Sequence, residues 1–293
     1  MGVLSEHASH VLNVISPEAA SLAKRLRSFG EADWLCEGYA FDILPYADAA
    51  AALDFARDEA RAMTADINIV PRARRRNKLL AADMESTIIA CECVDELAAI
   101  AGVHHEVAAI TERTMRGEIE FAGALRERVA LLKDLPLSAL QRVYDEHVRL
   151  NPGAKALVAT MRAHGAATLL VSGGFTWFTD RVAREAGFEM RSANVLLDDG
   201  ERLLGTVQEP IRGREAKVQA LEGAAAARAI DLSETLAVGD GANDVEMVKR
   251  AGLGVAWHAK PILAGAASAR VDHADLTALL YLQGYRASEI LTA

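Results

Sequence analysis

Residues 79–89 read LLAADMESTII, a short apolar run that stops at Asp83 and continues into a second acid and two hydroxyls. Two later apolar runs, ATLLVS (167–172) and TLAVGD (235–240), also end in a polar residue. Runs of this kind, separated by helical patterns, predict an α/β fold with a Rossmann-like parallel sheet and helices on both faces. Ligands of such sheets bind beyond the carboxyl ends of the strands, so we expect these polar residues to meet there.

The predicted sheet belongs to one large domain over residues 76–293. About 80 residues of helical pattern separate its first two strands, which is too long for a simple crossover and predicts a helical cap inserted at about residues 95–150. A later stretch, 193–207, has Asp-Gly at its centre between apolar flanks and predicts a hairpin.

Residues 1–75 show a different pattern. Strand and helix signals follow in the order β-α-β-β-α-β, which is typical of a ferredoxin-like α+β unit. Ser16-Pro17-Glu18 predicts the start of its first helix, with proline in the first helical position. Pro71 and the basic run RARRR (72–76) mark the end of the unit, and we interpret that run as a solvated linker.

Composition excludes several classes of protein. The 293 residues carry a formal net charge of −9, which argues against a nucleic-acid partner. No segment approaches the roughly 18–20 consecutive apolar residues that a membrane span needs. The N-terminal MGVLSEHASH lacks the apolar region of a secretory signal. Three cysteines are too few for a disulfide scaffold, so we expect a cytoplasmic protein.

The strand ends offer a consistent chemistry. Asp83, Asp240 and Asp244 supply hard oxygen ligands that suit Mg²⁺, while Ser172 and the glycines that follow it present a hydroxyl and backbone N–H groups to an anion. With Lys217 early in a helix, the set predicts phosphoryl transfer, in which an aspartate can be the covalent nucleophile. Each of these residues alone would more often belong to a turn or to the protein surface. The occurrence of such residues at the ends of three strands argues against coincidence.

Four segments, DMEST (83–87), SGGF (172–175), Lys217 and GDGAND (239–244), resemble the four motifs of the haloacid dehalogenase (HAD) superfamily. Within it, the chain is most similar to the phosphoserine phosphatase family, over roughly residues 76–285. The N-terminal unit resembles the ACT-like extension that some bacterial members carry. The resemblance implies hydrolysis of O-phosphoserine to serine and phosphate through an aspartyl-phosphate, as the last step of serine biosynthesis.

The resemblance also implies roles for individual residues. Asp83 would be the nucleophile, and Mg²⁺ would be held by Asp83, the backbone carbonyl of Glu85, Asp240 and Asp244. The group that would bind the phosphoryl oxygens or support that site comprises Ser172, Gly173, Lys217 and Asn243.

Substrate choice would come from residues in and near the cap. By the resemblance, Glu92 meets the α-ammonium of the substrate and Arg128 its α-carboxylate, whereas Met115 and Phe121 contact it through apolar groups. Periodicity alone describes Arg128 as a helix-surface arginine and the two apolar residues as ordinary parts of a cap.

Glu85 departs from the family pattern, which has aspartate as the second acid of the first motif. That acid works by proton transfer, so the additional methylene of glutamate affects its reach, while a metal contact through the backbone carbonyl is unaffected. Three outcomes follow: an active enzyme, slowed hydrolysis that favours transfer to another acceptor, or a protein that binds more than it turns over. We favour the active enzyme.

Two alternatives stay open at this point. One is a related HAD phosphatase or phosphotransferase acting on another small phosphorylated metabolite. The other is not an enzyme but a phospho-accepting regulator or binding protein, in which Asp83 is a switch and turnover is impaired by Glu85. The expected partner is a small-molecule substrate, O-phosphoserine, with no nucleic acid and no membrane, and a homodimer is a candidate assembly.

Overall fold

The computed structural model describes residues 9–45 and 49–292. The predicted absence of a secretory signal rests mostly on residues outside these ranges. Within them, the longest apolar helices fall short of what crossing a membrane requires.

The N-terminal unit is an antiparallel sheet with two helices. Its strands lie in the order β2-β3-β1-β4, with β1 paired to β3 and β4. The elements appear in the predicted β-α-β-β-α-β order and are β1 (His10–Ile15), α1 (Ala19–Arg25), β2 (Ala32–Cys36), β3 (Ala40–Ile43), α2 (Ala49–Glu59) and β4 (Asp66–Pro71). Leu12 and Val14 of β1 pack with Leu22 of α1 and Ala56 of α2, which gives this unit its own core. Helix α1 begins later than predicted, because the Ser16 hydroxyl accepts a hydrogen bond from the Glu18 N–H and leaves Pro17 in a turn.

The main sheet is parallel, as predicted. Its strand order is β12-β11-β10-β5-β6-β7. These strands are β5 (Leu79–Asp83), β6 (Ala167–Phe175), β7 (Met190–Asn194), β10 (Thr235–Gly239), β11 (Leu253–Trp257) and β12 (Ala269–Val271). Along β5, Leu80 and Ala82 face one hydrophobic core and Leu79 and Ala81 face another, because successive side chains of a strand point to opposite faces. Helices cover both faces, and these are α7 (Ala154–Ala163), α8 (Thr176–Ala186), α9 (Arg214–Ala227), α10 (Val245–Arg250), α11 (Pro261–Ala264) and α12 (Ala278–Leu282).

Four helices occupy the region where the cap was predicted. They are α3 (Cys93–Ala101), α4 (His104–Met115), α5 (Phe121–Ala130) and α6 (Ser138–His147). The predicted hairpin, β8 (Leu196–Asp198) and β9 (Leu203–Val207), lies against this helical segment. There the Asp134 N–H donates to the Leu203 carbonyl and the Leu137 N–H to the Glu201 carbonyl, both at 2.9 Å. The hairpin therefore connects the helical segment to the main domain.

Strand β6 is longer than the predicted 167–172. It continues to Phe175, with a break in register between Val171 and Phe175, where pairing with Asn194 of β7 resumes. At the break, the Ser172 hydroxyl accepts a hydrogen bond from the Gly174 N–H at 2.8 Å. The glycine loop is thus an irregular part of a strand and not a turn after it.

The interpretation of RARRR (72–76) as a solvated linker holds for residues 72–74, which are exposed, and is wrong for Arg75. Arg75 forms an ion pair with Asp42 in which both side chains are about nine-tenths buried. Arg76 lies 2.8 Å from Glu289 and places its guanidinium 4.3 Å from the centre of the Tyr285 ring. The run therefore attaches the N-terminal unit to the C-terminal part of the chain.

A second set of contacts joins the N-terminal unit to the edge of the main sheet. The Asn68 amide donates to the Arg270 carbonyl at 2.9 Å and accepts from the Arg270 N–H at 2.8 Å, so it pairs with edge strand β12 as a neighbouring backbone would. Asp66 accepts hydrogen bonds from the N–H groups of Asp272 and Ala274. The two units are fixed to each other by buried polar contacts.

Candidate active site

Asp83 and Lys217 form the centre of the site. Asp83 ends β5 and is almost fully buried, and its Oδ1 accepts a hydrogen bond from the Met84 N–H at 2.8 Å. The Lys217 ammonium, from the first turns of α9, lies 2.7 Å from Asp83 Oδ1 and 2.6 Å from Asp244 Oδ1. Residues from three separate parts of the chain therefore meet at one end of the sheet, as the strand-end pattern predicts.

The charges of these groups perturb one another. Burial and the neighbouring Asp244 raise the pKa of Asp83 well above its usual range, although Lys217 opposes the shift. Burial would lower the pKa of Lys217, but the two adjacent carboxylates outweigh it and raise the pKa. Lys217 is therefore a fixed positive charge, and the site still holds more carboxylates than cations.

The acid cluster fits a magnesium ion. Asp83, Asp240 and Asp244 are buried and can each offer an oxygen within 4.8 Å of the others. The donors are all carboxylate oxygens, the type that Mg²⁺ prefers over the nitrogen and sulfur ligands of zinc sites. Burial raises the pKa of Asp240 despite Lys260, whose ammonium lies 3.4 Å away. A divalent cation would relieve this excess of buried negative charge.

The Glu85 side chain is held by two donors. Its Oε1 accepts a hydrogen bond from the Cys93 N–H at 2.8 Å, and its Oε2 accepts one from the Ser172 hydroxyl at 3.3 Å. A Cβ on Gly174 would come within 2.5 Å of Oε2, so the carboxyl occupies space that only glycine leaves free. Burial raises the pKa of Glu85, although the Cys93 N–H opposes the shift. A raised pKa favours a carboxyl that can give and take a proton.

The glycine loop is fixed by a residue that the motifs did not indicate. The Asn194 amide donates to the carbonyls of Gly173 at 2.8 Å and Arg212 at 3.1 Å, and its oxygen accepts from the Arg212 N–H. The absence of a side chain at Gly173 admits the Phe121 ring, since a Cβ there would lie 3.2 Å from the ring. Asn194 ends β7 beside β6, so the strand-end rule could have found it had MRSAN been recognised as a strand.

Asn243 completes the base of the site. With its amide oriented so that the oxygen faces Lys217, it accepts from the ammonium at 3.3 Å and donates to Asp244 Oδ2 at 3.2 Å. Asp244 Oδ2 also accepts a hydrogen bond from the Gly241 N–H at 3.1 Å. The loop after β10 therefore positions Lys217 as well as the carboxylates.

Glu92 lies at the open side of the site. Its carboxyl accepts a hydrogen bond from the Ser86 hydroxyl at 2.7 Å, and Ser86 has a left-handed φ of 55°. Partial desolvation, followed by the charge of Glu85, raises the pKa of the Glu92 carboxyl to about 7, although solvent still reaches the residue. The Ser86 hydroxyl therefore holds this acid in place.

Arg128 supplies a positive charge that interacts with these acids. Desolvation lowers the pKa of its guanidinium, against the attraction of Asp95, Glu85 and Glu92. Its Nε is buried without a hydrogen-bond partner in the described part of the chain. A buried donor without a partner costs free energy, so this arginine is suited to a bound anion. Met115 ends α4, but its side chain lies outside what the structure describes.

Comparisons with known sequences agree on one family. A model described as haloacid dehalogenase-like hydrolase matches residues 80–249. The phosphoserine phosphatase of Archaeoglobus fulgidus is 41% identical over 79% of this chain and 68% of its own length. That of Streptomyces coelicolor is 42% identical over 80% of this chain, which spans only 58% of the relative. That of Albidiferax ferrireducens is 45% identical over 70% of this chain and 89% of its own length.

Solved structures show the same similarity. A probable phosphoserine phosphatase from Vibrio cholerae, in its unliganded form, superposes with a TM-score of 0.79 at 29% identity, covering 97% of this chain and 88% of that one. A phospho-aspartyl intermediate analogue of phosphoserine phosphatase gives a TM-score of 0.64 at 38% identity, covering 70% of this chain and 97% of that one. With the matched sequence motifs and the parallel sheet that carries them, these results show that the chain belongs to the haloacid dehalogenase-like hydrolase family.

Proposed function

We propose that the protein is a Mg²⁺-dependent phosphoserine phosphatase that hydrolyses O-phosphoserine to serine and phosphate. The three relatives described above, which are 41–45% identical to this chain, are phosphoserine phosphatases. The acid cluster, Lys217 and the glycine loop suit phosphoryl transfer.

One observation carries the choice of substrate. Glu92 and Arg128 are opposite charges that interact with each other, both interact with Glu85, and the Arg128 Nε is buried without a hydrogen-bond partner among the described residues. A zwitterionic amino-acid head needs one charge of each sign, and a buried arginine pairs well with a carboxylate. A phosphatase for simple phosphate esters has no need of both. The assigned roles are that Arg128 binds the α-carboxylate, Glu92 binds the α-ammonium and Phe121 covers the glycine loop.

In the first step, a carboxylate oxygen of Asp83 attacks phosphorus, and the bond from phosphorus to the serine oxygen breaks. Lys217, Ser172 and the Gly173 N–H stabilise the phosphoryl oxygens, and Asn243 holds Lys217 in place. When bound, Mg²⁺ would be held by Asp83, Asp240, Asp244 and the Glu85 carbonyl, and would offset the repulsion between two anions.

Glu85 supplies the protons. Its raised pKa lets the carboxyl protonate the leaving serine oxygen, and the resulting carboxylate then takes a proton from the water that hydrolyses the aspartyl-phosphate. The hydrogen bonds from Cys93 and Ser172 hold the carboxyl beside the glycine loop.

The domain assignment is part of the proposal. Residues 1–75 form an ACT-like unit, residues 76–293 form the phosphatase core and about 95–150 form its cap. The antiparallel sheet with its order β2-β3-β1-β4 supports the first assignment, and the four helices between β5 and α7 support the last. We further propose a cytoplasmic enzyme of amino-acid biosynthesis that forms a homodimer.

Phosphate release tests the function. The purified protein is assayed with O-phosphoserine, O-phosphothreonine, glycerol phosphate and p-nitrophenyl phosphate, with Mg²⁺ and with a chelator. Metal-dependent multiple turnover with the highest kcat/KM for O-phosphoserine is expected, and Asp83→Asn should remove it. A preference for another ester would replace the substrate, while a single stoichiometric phosphorylation of Asp83 without turnover would favour a phospho-accepting regulator.

A further inference from the structure

A second lysine lies beside the acid cluster. Lys260 follows β11, and its ammonium lies 3.4 Å from Asp240 Oδ2. Its backbone N–H donates to the Asp240 carbonyl at 2.8 Å, and a Cβ on Gly241 would lie 3.9 Å from the ammonium. Lys260 is therefore placed against the loop that carries Asp240, although it lies outside the four segments that resemble the HAD motifs.

The two lysines divide the three carboxylates between them. Lys217 is buried, and its ammonium contacts Asp83 and Asp244. The side chain of Lys260 is 60% exposed and contacts Asp240, whose own side chain is 11% exposed. One cation is therefore part of the protein interior, whereas the other remains in contact with solvent next to the third carboxylate.

The turn that carries Lys260 has an unusual backbone geometry. His258 has a left-handed φ of 44°, which costs free energy in a residue other than glycine and persists only where the surroundings enforce it. Its Nε2 lies 3.1 Å from the Ala274 carbonyl, and because a carbonyl can only accept, this nitrogen donates. The Ala274 N–H in turn donates to Asp66 of β4 at 2.8 Å. The N-terminal unit therefore supports the turn that presents Lys260 to Asp240.

We propose that Lys260 is the second cation of the acid cluster, and that its charge weakens the binding of Mg²⁺ and strengthens the binding of the phosphoryl group. Lys260 is a positioning residue, which acts through Asp240 and through its charge. The inference rests on the proposed phosphatase function, because it requires an acid cluster that holds Mg²⁺ next to a phosphoryl anion.

The effect on the metal follows from the carboxylate that both cations share. The Lys260 ammonium offsets part of the negative charge of Asp240. A metal ion held by Asp240 shares that carboxylate with the ammonium, and the two positive charges repel each other. Removal of the ammonium makes the cluster more negative, so Mg²⁺ should bind more tightly without it.

The effect on the phosphoryl group has the opposite sign. A phosphoserine phosphate brings a charge of about −1.5 to −2 near pH 7 to a site that already contains three aspartates. The ammonium attracts this anion without touching it, because charges act over roughly 8–10 Å at moderate ionic strength. A substitution that only loosened the loop would weaken the binding of cation and anion together, so opposite signs distinguish an effect of charge from an effect of structure.

The test measures the binding of both ligands by isothermal titration calorimetry. Mg²⁺ is titrated into the metal-free full-length protein, and inorganic phosphate into the protein saturated with Mg²⁺. For Lys260→Met, we expect the Kd of Mg²⁺ to fall and the Kd of phosphate to rise, each by about two- to fivefold, which is the size expected when one partner of a charge pair is mostly exposed.

Two further variants and a change of salt separate charge from packing. Lys260→Arg keeps the charge and should bind both ligands as the parent protein does. Lys249→Met removes another exposed lysine, which pairs with Glu246 on α10, and should change neither Kd. At high ionic strength the differences between Lys260→Met and the parent should shrink, because salt screens exposed charges.

Three results would overturn the proposal. They are an unchanged or higher Kd of Mg²⁺ in Lys260→Met, an unchanged or lower Kd of phosphate in that variant, and a Lys260→Arg variant that behaves as Lys260→Met does. If none of the phosphate esters is turned over although Mg²⁺ and phosphate bind, the proposed function fails by itself, and the two Kd values still decide the role of Lys260. If the parent protein binds neither ligand, both proposals are overturned.

Discussion

The Lys217 ammonium bridges Asp83 and Asp244, at 2.7 Å and 2.6 Å from one oxygen of each. All three side chains are almost completely buried. Lys217 therefore neutralises charge that would otherwise be costly to bury, and it also holds the proposed nucleophile in a fixed position. Stability and catalysis depend on the same ion pairs.

Replacement of this lysine should affect both properties. In Lys217→Met, two buried carboxylates lose their cation, so we expect the free energy of unfolding near neutral pH to fall by about 3–5 kcal/mol and phosphate release to be lost. Urea unfolding with and without Mg²⁺ measures the first effect, and the metal should restore part of it by replacing the lost charge. Lys249→Met, at an exposed lysine of α10, is the control and should change neither quantity. Unaltered stability in Lys217→Met would contradict this account.

The ends of the strands were predictable because apolar periodicity locates buried strands and the parallel topology aligns their carboxyl ends. Asp83 and Asp240 were found in this way, whereas Ser172 was found although β6 does not end there and continues to Phe175. Asn194 was missed although it obeys the same rule, because MRSAN alternates around Arg191 and Ser192 and gives a weak strand signal.

Contacts between residues distant in sequence set the limit of the prediction. Arg75 is buried beside Asp42, which lies on β3 and is 33 residues earlier in the chain, and a local pattern of arginines carries no information about that partner. The rotamer of Glu85 is similarly decided by the Cys93 N–H and the Ser172 hydroxyl. The residue types of the site could be predicted from the sequence, whereas the hydrogen-bond and ion-pair partners of each side chain could be identified only from the fold.

The additional methylene of Glu85 should limit the rate of proton transfer. Glu85→Asp shortens the side chain and frees the carboxyl from the Cys93 N–H, so we expect kcat for O-phosphoserine to stay equal or rise. Glu85→Gln keeps the length but cannot transfer a proton, and kcat should fall by about 10²-fold or more. Steady-state phosphate release measures both variants. A large fall in kcat for Glu85→Asp would show that the site is built around glutamate.

Arg128 should select for the amino-acid head of the substrate. In Arg128→Ala, we expect kcat/KM for O-phosphoserine to fall by about 10²-fold or more, since a charged hydrogen-bonded pair is lost, while the value for p-nitrophenyl phosphate changes little. Arg128→Lys keeps the charge but cannot form the bidentate hydrogen bonds of a guanidinium. Its kcat/KM for O-phosphoserine should lie between the values of the parent protein and Arg128→Ala. Arg126→Ala, two residues earlier and on the exposed surface of α5, is the control. Equal losses for both substrates would assign Arg128 to packing and not to recognition.

The raised pKa of Glu92 should make stability depend on pH. Its pKa is about 7 in the folded protein, against an ordinary value of 4.5, so the native state keeps a proton that the unfolded state releases. Because the native state then binds more protons, the contribution of Glu92 is fully present below pH 4.5 and is lost as the pH rises through about 7. Glu92→Gln cannot titrate, so the decline of the free energy of unfolding over this interval should become shallower. Urea unfolding across the interval measures the slope, with Glu112→Gln on the exposed face of α4 as the control. If Glu92→Gln has the same slope as the parent protein, the Glu92 carboxyl of the parent has the same pKa in the folded and unfolded chains.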